Sequence, residues 1–199
     1  MEECIGLFGS VDVMLNIAGY LSPCYTTDMH FMQDSSADKD IATLHRHFDI
    51  NTKGVILGSQ CALDQMQTQA PRAEYGGARG HIVNIGSLSC FSPVKGLALY
   101  AASKAAVRSY SLTLYLEAKE KGVAVSLICP DGVLSPMTRD VAENSAAALI
   151  WTCVMYTPEE VAKHILYGSL STQEPEVRLV VIGVAAVFVT LAGCCRRLQ

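Results

Sequence analysis

The sequence predicts an α/β fold built on a parallel sheet. Four short apolar runs rich in branched residues lie at 11–19, 81–87, 123–130 and 177–183, and longer segments with helical spacing of apolar residues separate them. This alternation is typical of βαβ units, whose strands are buried on both faces. A chain of 199 residues is long enough for one domain with a sizeable core and too short for two ordinary ones, so a single domain is expected.

The helical segments follow from periodicity and capping residues. Residues 40–67 repeat apolar side chains at helical spacing, and a polar loop follows at 68–80. Residues 100–121 form the next helix, with Gly122 in the position of a C-cap. Residues 24–40 are interpreted as a long polar surface loop.

A last helix is predicted to begin at Thr157. Pro158 suits the first turn, and Glu160 stands three residues after Thr157, which is the spacing of a capping box. The apolar segment 179–195 is interpreted as a final strand that runs into a buried helix. A membrane anchor is the alternative for that segment, and it would make the protein membrane-associated.

Composition narrows the classes of partner and compartment. The net charge is -4 and the pI is near 5.7, and Lys and Arg do not cluster in the first 177 residues, which disfavours nucleic acid. The eight cysteines show no CxxC spacing and the chain shows no secretory signal. They are interpreted as reduced thiols in a cytoplasmic compartment, with no metal site.

The stretch "ALYAASKAA" (98–106) places Tyr100 and Lys104 one helical turn apart on one face. In a parallel α/β sheet the functional crevice lies beyond the carboxyl ends of the strands, where Gly19, Ser87 and Pro130 would fall. A tyrosine is a poor base at neutral pH, but a nearby ammonium favours the phenolate. We therefore expect Lys104 to lower the pKa of Tyr100 toward the range useful for proton transfer, with Ser87 holding the substrate oxygen.

Taken in order, "NIAG", "FDIN", "NIGS" with Ser87 thirteen residues before Tyr100, "YAASK" and "PDGVLSPM" resemble the short-chain dehydrogenase/reductase family. The resemblance covers residues 5 to 185 and implies a Rossmann-like, doubly wound fold. It implies that Tyr100 is the general acid/base, Ser87 positions the carbonyl or hydroxyl, Lys104 binds the nicotinamide ribose and Asn51 holds a water in a proton relay. The cofactor-binding residues that it implies are Asn16, Ala18, Gly19, Tyr100, Lys104, Pro130, Gly132 and Val133.

The reaction implied is hydride transfer between NAD or NADP and an alcohol/carbonyl pair of a small molecule. The apolar residues of a possible lid at 135–156 suggest an apolar substrate. The same resemblance implies a homo-oligomer formed through the helices that contain Asn51 and Tyr100. A second hypothesis is a non-catalytic, truncated relative that pairs with a full-length dehydrogenase.

The sequence departs from the family pattern at its start. No G-x-x-x-G-x-G occurs, so the first strands and the glycine-rich turn of the family are missing from these residues, and Met1 falls near the end of a helix. The domain is therefore expected to be a partial one, truncated at the N-terminus. Without backbone N–H groups at such a turn to bind a pyrophosphate, NAD(P)H binding by the isolated chain is expected to be very weak. The strand at 11–19 is expected to be an open sheet edge.

The sequence contains three weaker candidates for site residues. Ser89 is interpreted as a loop-capping residue, because the thirteen-residue spacing selects Ser87. His45 and His47 point to different helix faces and are interpreted as solvated. Tyr115 and Lys119 repeat the Tyr-x-x-x-Lys spacing, but at the end of the helix that lies away from the strand termini.

Overall fold

The computed structural model describes residues 1–29, 34–92, 94–139, 155–170 and 178–182. The helices are α1 (Glu2–Phe8), α2 (Asp34–Phe48), α3 (Gly54–Met66), α4 (Ala98–Glu120) and α5 (Pro158–Lys163). The strands are β1 (Val13–Asn16), β2 (His81–Ile85), β3 (Ala124–Pro130), β4 (Gly132–Val133), β5 (Met155–Tyr156) and β6 (Arg178–Ile182). Helices and strands alternate, as an α/β fold requires.

The main sheet has four strands in the order β1–β2–β3–β6, and every pair is parallel. The register brings Asn16 opposite Asn84, and Ile85 opposite Ile128, so the carboxyl ends of the strands share one edge. Strands β4 and β5 form a separate parallel pair. The predicted parallel sheet is confirmed, and within the described residues β1 is an edge strand, as expected. The strand is shorter than the predicted run 11–19, because pairing with β2 covers only four residues.

Apolar side chains cover both faces of the sheet. On one face Met66 of α3 and Leu114 of α4 pack with Ile82 and Val125 of the sheet. On the opposite face Ile165, just beyond α5, packs with buried residues of β2 and β3. Side chains alternate between the two faces of a strand, which explains why successive residues of β2 belong to different clusters. The doubly wound arrangement is confirmed.

Residues 34–66 run as helix almost without interruption. The α2 and α3 helices are joined by one wide π-helical segment, Asp49–Lys53, which contains Asn51. The interpretation of 24–40 as one long loop is therefore wrong for residues 34–40. Their polar composition suggested a loop, yet acidic and hydroxyl residues are also the types that helix N-termini favour.

The predicted helix ends are confirmed. Thr157 and Glu160 form the reciprocal capping box at the start of α5, with Pro158 in the first turn. Gly122 follows α4 with a left-handed φ of 71°. The predicted final strand is present as β6, whereas residues 183–195 of the apolar segment lie outside the described residues. In the part of the chain that the structure describes, no helix has the length and apolarity needed to span a membrane.

Candidate active site

A cavity of about 420 Å³ lies at the carboxyl edge of the main sheet. Gly19 enters it after β1, Ser87 after β2 and Pro130 at the end of β3. Tyr100 and Lys104 enter from the first two turns of α4. Residues far apart in the sequence thus meet where parallel strands end, which is where binding sites form in folds of this kind.

The position of Tyr100 depends on how α4 begins. Gly96 adopts a left-handed φ of 80°, which a residue with a Cβ adopts only with strain, and the chain then turns into the alanine-rich helix. Tyr100 falls in the first turn and Lys104 one turn later. The Lys104 Nζ lies 5.9 Å from the centroid of the Tyr100 ring, so the predicted pairing of ammonium and phenol is present.

Lys104 is a buried ammonium, with 3% of its surface exposed. Its Nζ donates a hydrogen bond of 2.8 Å to the carbonyl of Ile85, the last residue of β2. Burial disfavours the charged form and lowers the pKa of Lys104 to about 8. The ammonium is therefore held at the cavity at a cost in solvation, with one backbone acceptor among the described residues.

Burial also decides the direction of the Tyr100 shift. Desolvation raises the pKa of Tyr100 above its ordinary value, and interaction with the Ser87 hydroxyl offsets this only in part. The expectation that Lys104 would give Tyr100 a lowered pKa is therefore wrong for the cavity as described. The reason is physical: removing a phenolate from water outweighs the stabilisation that its neighbours provide.

Ser87 continues from β2 in extended conformation and begins a short 3-10 turn, Leu88–Cys90. Its Oγ accepts hydrogen bonds from the backbone N–H of Ser89 at 3.2 Å and from the Ser89 hydroxyl at 3.0 Å. Ser87, not Ser89, is thus the residue that caps this turn. The two donors orient the Ser87 hydroxyl group, which remains in the cavity wall.

Asn51 is completely buried in the π-helical segment. Its Oδ1 accepts from the N–H of Tyr20 at 2.6 Å, and its Nδ2 donates to the Tyr20 carbonyl at 2.8 Å and to the Ser103 Oγ at 2.9 Å. Both N–H donors of the amide are used. Asn51 therefore fixes the backbone next to Gly19 and joins it to α4. Wide helical turns are common where a side chain must be aimed in this way.

Five of the eight predicted cofactor-binding residues line the cavity, and they are Gly19, Tyr100, Lys104, Pro130 and Val133. Asn16, Ala18 and Gly132 are not in its lining. The Asn16 side chain points into the helix layer, because strand residues alternate between faces. There its Nδ2 donates to the Asn84 Oδ1 at 2.8 Å and to the Ser59 Oγ at 3.1 Å.

This buried polar cluster has four members, Asn16, Ser59, Asn84 and Ser111, from β1, α3, β2 and α4. The Ser59 hydroxyl donates to the Asn84 Oδ1 at 3.2 Å, and the Asn84 Nδ2 donates to the Ser111 Oγ at 2.9 Å. Such groups are stable away from water only when they are paired. Gly58 packs directly against the Asn16 amide, at a place where a Cβ would not fit. The cluster therefore supports the site from beneath.

His47 supports the loop that follows β1, and sequence reasoning missed this role. The prediction that it is solvated is wrong, since His47 is completely buried, whereas His45 is exposed. Its Nδ1 lies 2.8 Å from the Thr43 carbonyl, and its Nε2 accepts from the N–H of Ser22 at 3.3 Å. Burial lowers the pKa of His47, which favours the neutral ring that this pairing needs. One sequence signal was available. His47 is four residues before Asn51, and side chains at this helical spacing share a face, so both could contact the loop after β1.

A family model described as short chain dehydrogenase matches residues 1–146. The chain belongs to the short-chain dehydrogenase family. Similar curated relatives are uncharacterized oxidoreductases of Staphylococcus. That of S. saprophyticus is 28% identical over 168 residues, which are 84% of this chain and 61% of the relative. One from S. epidermidis is 29% identical over 160 residues, which are 76% of this chain and 62% of that protein.

Solved structures agree on the short-chain dehydrogenase fold. A 7 alpha-hydroxysteroid dehydrogenase complexed with NADH and 7-oxo glycochenodeoxycholic acid gives a TM-score of 0.71 at 20% identity, covering 95% of this chain and 69% of that one. A putative gluconate dehydrogenase from Agrobacterium tumefaciens gives 0.67 at 20% identity, covering 85% and 62%. The chain spans about 60% of the length of the curated relatives above.

Proposed function

We propose that this chain carries the proton-transfer site of an NAD- or NADP-dependent oxidoreductase that interconverts an alcohol and a carbonyl. One observation carries the proposal. The Tyr100 ring and the Lys104 ammonium lie 5.9 Å apart, and Ser87 lines the same cavity. A phenol, a hydroxyl and an ammonium around one space suit proton transfer to or from an oxygen atom.

The residues present fit part of a nicotinamide nucleotide. Gly19 lies beside two polar groups, because a Cβ at this position would be 3.7 Å from the Asn51 Oδ1 and 3.8 Å from the Lys104 Nζ. A ribose hydroxyl has the chemistry to accept from Lys104. Gly19, Lys104, Pro130 and Val133 would hold the cofactor at this edge of the sheet, where it would supply or accept a hydride. Binding by the isolated chain is expected to be very weak, because the sequence offers no glycine-rich turn for a pyrophosphate.

The chain's own groups divide the proton chemistry between them. Because burial raises the pKa of Tyr100, its phenol stays protonated at neutral pH and can donate a proton to a carbonyl oxygen. The Ser87 hydroxyl holds that oxygen by hydrogen bonding. The Lys104 ammonium stabilises the phenolate left after proton donation. The protonated phenol is the form needed for carbonyl reduction, and the phenolate is the form needed for alcohol oxidation.

The walls around these groups favour an apolar substrate. Leu21, Met137, Val161 and Ile165 are among the residues that line the cavity. Within the possible lid at 135–156, residues 140–154 lie outside the described residues, and Met155 is not in the lining of the cavity. Apolar walls bind a hydrocarbon body, while the few polar groups select its oxygen. The free thiols among the described cysteines are consistent with a reducing compartment such as the cytoplasm.

Replacing Tyr100 by Phe tests the proposal. The full chain is assayed with millimolar NADH or NADPH against a panel of apolar ketones. We expect Tyr100→Phe to lower kcat at least 100-fold, because the proton donor is lost, without changing the Kd for the cofactor. Tyr110→Phe is the matched control, since Tyr110 lies on the same helix and its hydroxyl bonds to Gln60 at 3.0 Å outside the cavity. Turnover retained in Tyr100→Phe would remove Tyr100 from this role.

A second role, pairing with a related dehydrogenase chain, is supported by one feature of the surface. Leu57 on α3 and Leu116 on α4 are each 56% exposed, on the helices expected to mediate oligomerisation. Large exposed side chains of this kind suit a helix-to-helix interface. Light scattering should detect a dimer that Leu116→Asp dissociates. A strictly monomeric wild-type chain, with no complex formed on adding a full-length relative, would exclude this role.

A further inference from the structure

Two thiols lie directly behind Ser87. Cys90 ends the 3-10 turn that Ser87 begins, and Cys129 stands in β3 immediately before Pro130. Their Sγ atoms are 3.9 Å apart. Gly86 makes this approach possible, because a Cβ at that position would lie only 2.7 Å from the Cys129 Sγ. The pair thus joins the two segments that supply Ser87 and Pro130 to the cavity.

The two thiols differ in access and in charge. Cys129 is completely buried, whereas Cys90 is partly exposed. Their mutual hydrogen bond lowers the pKa of Cys90 and raises that of Cys129, where burial adds to the rise. The guanidinium of Arg108, which stacks 4.6 Å from the Phe91 ring centroid, adds positive charge near Cys90. An accessible thiolate beside a protonated, enclosed thiol is the arrangement of an attacking and a resolving cysteine.

We propose that Cys90 and Cys129 form a peroxide-reactive dithiol that closes to a disulfide beside the active site. The Cys90 thiolate attacks one oxygen of hydrogen peroxide, which breaks the O–O bond and gives Cys90 sulfenic acid and hydroxide. The Cys129 sulfur then attacks the Cys90 sulfur and displaces the hydroxyl group as water when the thiol proton is transferred. Two thiols are oxidised, one peroxide is reduced, and two waters form in total.

Closing the bond must move the cavity wall. The sulfur atoms have to approach from 3.9 Å to the bonded distance of about 2.05 Å. In its thiol form Cys90 donates its S–H to the Ser87 carbonyl, and that contact ends when the attacking thiolate forms. The expected result is a reversible displacement of the Ser87 turn relative to Pro130. The reaction needs only the two cysteines and hydrogen peroxide, so its test does not require the substrate or cofactor of the proposed oxidoreductase.

Peptide mapping of the full chain tests the disulfide. Trypsin releases residues 80–95 and 122–139 as separate peptides, and each contains a single cysteine, Cys90 or Cys129. After treatment with stoichiometric hydrogen peroxide and alkylation without reductant, we expect these two peptides to be joined and lighter by two hydrogen atoms. Dithiothreitol should separate them again. Recovery of both as alkylated thiols, of Cys90 as sulfinic acid, or of Cys90 joined to a different cysteine would overturn the proposal.

Single variants separate the two steps. In Cys129→Ser, Cys90 should stop at the sulfenic acid, which a 1,3-dione reagent traps as a stable adduct. In Cys90→Ser, Cys129 should be recovered as a free thiol after unfolding and alkylation. Cys61→Ser is the matched control, because Cys61 is exposed on α3, and this variant should form the link as wild type does. Equal dione labelling of wild type and Cys129→Ser would show that Cys129 does not resolve the sulfenic acid.

Discussion

Replacing Lys104 by Met tests whether the folded chain buries the Lys104 ammonium at a cost in free energy. The lowered pKa of Lys104 means that the folded state disfavours the ammonium relative to water. A pKa that falls from 10.5 to about 8 corresponds to about 3 kcal/mol of unfavourable free energy when the group is charged. Met has similar length and no charge, so Lys104→Met removes this term.

The sign of the pH dependence follows from proton binding. Between about pH 8 and pH 10.5 the unfolded chain keeps the Lys104 proton while the folded chain has released it. The unfolded state then binds more protons, so wild-type stability rises with pH across this window. Relative to Lys104→Met, wild type should gain about 2 kcal/mol between pH 8 and pH 9.5. Below about pH 7 the difference in stability between the two proteins should be constant.

Urea unfolding followed by circular dichroism at four pH values measures this difference. The difference in unfolding free energy between the two proteins at neutral pH contains a second effect. Lys104→Met also leaves the Ile85 carbonyl without its donor, at a cost of about 1–3 kcal/mol. The change of this difference with pH is therefore the quantity to compare. The control is Lys119→Met. Lys119 lies 5.8 Å from the Tyr115 ring on the same helix, but it is exposed, so this variant should run parallel to wild type. Parallel curves for Lys104→Met as well would refute the burial of the ammonium.

Two further predictions concern the supports of the site. Gly58→Ala should destabilise the chain by about 1–3 kcal/mol, because the added Cβ meets the Asn16 amide. Gly54→Ala is the control and should stabilise the chain by about 0.5–1 kcal/mol, because its Cβ would have an ordinary 3.6 Å contact. Equal effects of the two substitutions in thermal unfolding would contradict this packing. Because burial lowers the pKa of His47, the unfolded chain gains a proton first as the pH falls below about 6.5, so wild type should lose stability there while His47→Gln changes less. The urea midpoints of wild type and His47→Gln at pH 7.5 and 5.5 measure this loss of stability. An equal loss in both proteins would exclude a neutral buried His47.

Periodicity was sufficient to predict the sheet, because each buried strand is a short run of branched apolar residues between helices. Caps at Thr157 and Gly122 could be predicted because they depend on local chemistry. The helical state of 34–40 could not, since a polar helix start and a polar loop have the same composition. The length of β1 also lay beyond sequence reasoning, because a strand ends where its partner stops pairing.

The positions of Ser87, Tyr100 and Lys104 around one cavity could be predicted, but the pKa shift of Tyr100 could not. The spacing of four residues is sufficient to predict that Tyr100 and Lys104 lie on one helix face. The direction of the Tyr100 pKa shift depends on how completely the surrounding segments exclude water, which no local pattern contains. The burial of His47 and the pairing of the Asn16 side chain could not be predicted for a related reason. Their partners, Ser22 and Asn84, are distant in sequence, and only the assembled sheet and helices bring them together.

The cluster around Asn16 and Asn84 has a consequence for how faithfully the sheet assembles. If β1 shifted by two residues along β2, every side chain would stay on its own face, so hydrophobic burial alone would scarcely oppose the error. The shift would separate the two amides, and each buried polar group left without a partner costs about 1–3 kcal/mol. Misaligned chains are thereby disfavoured, and the register that pairs Asn16 with Asn84 brings Gly19 and Ser87 to the same cavity.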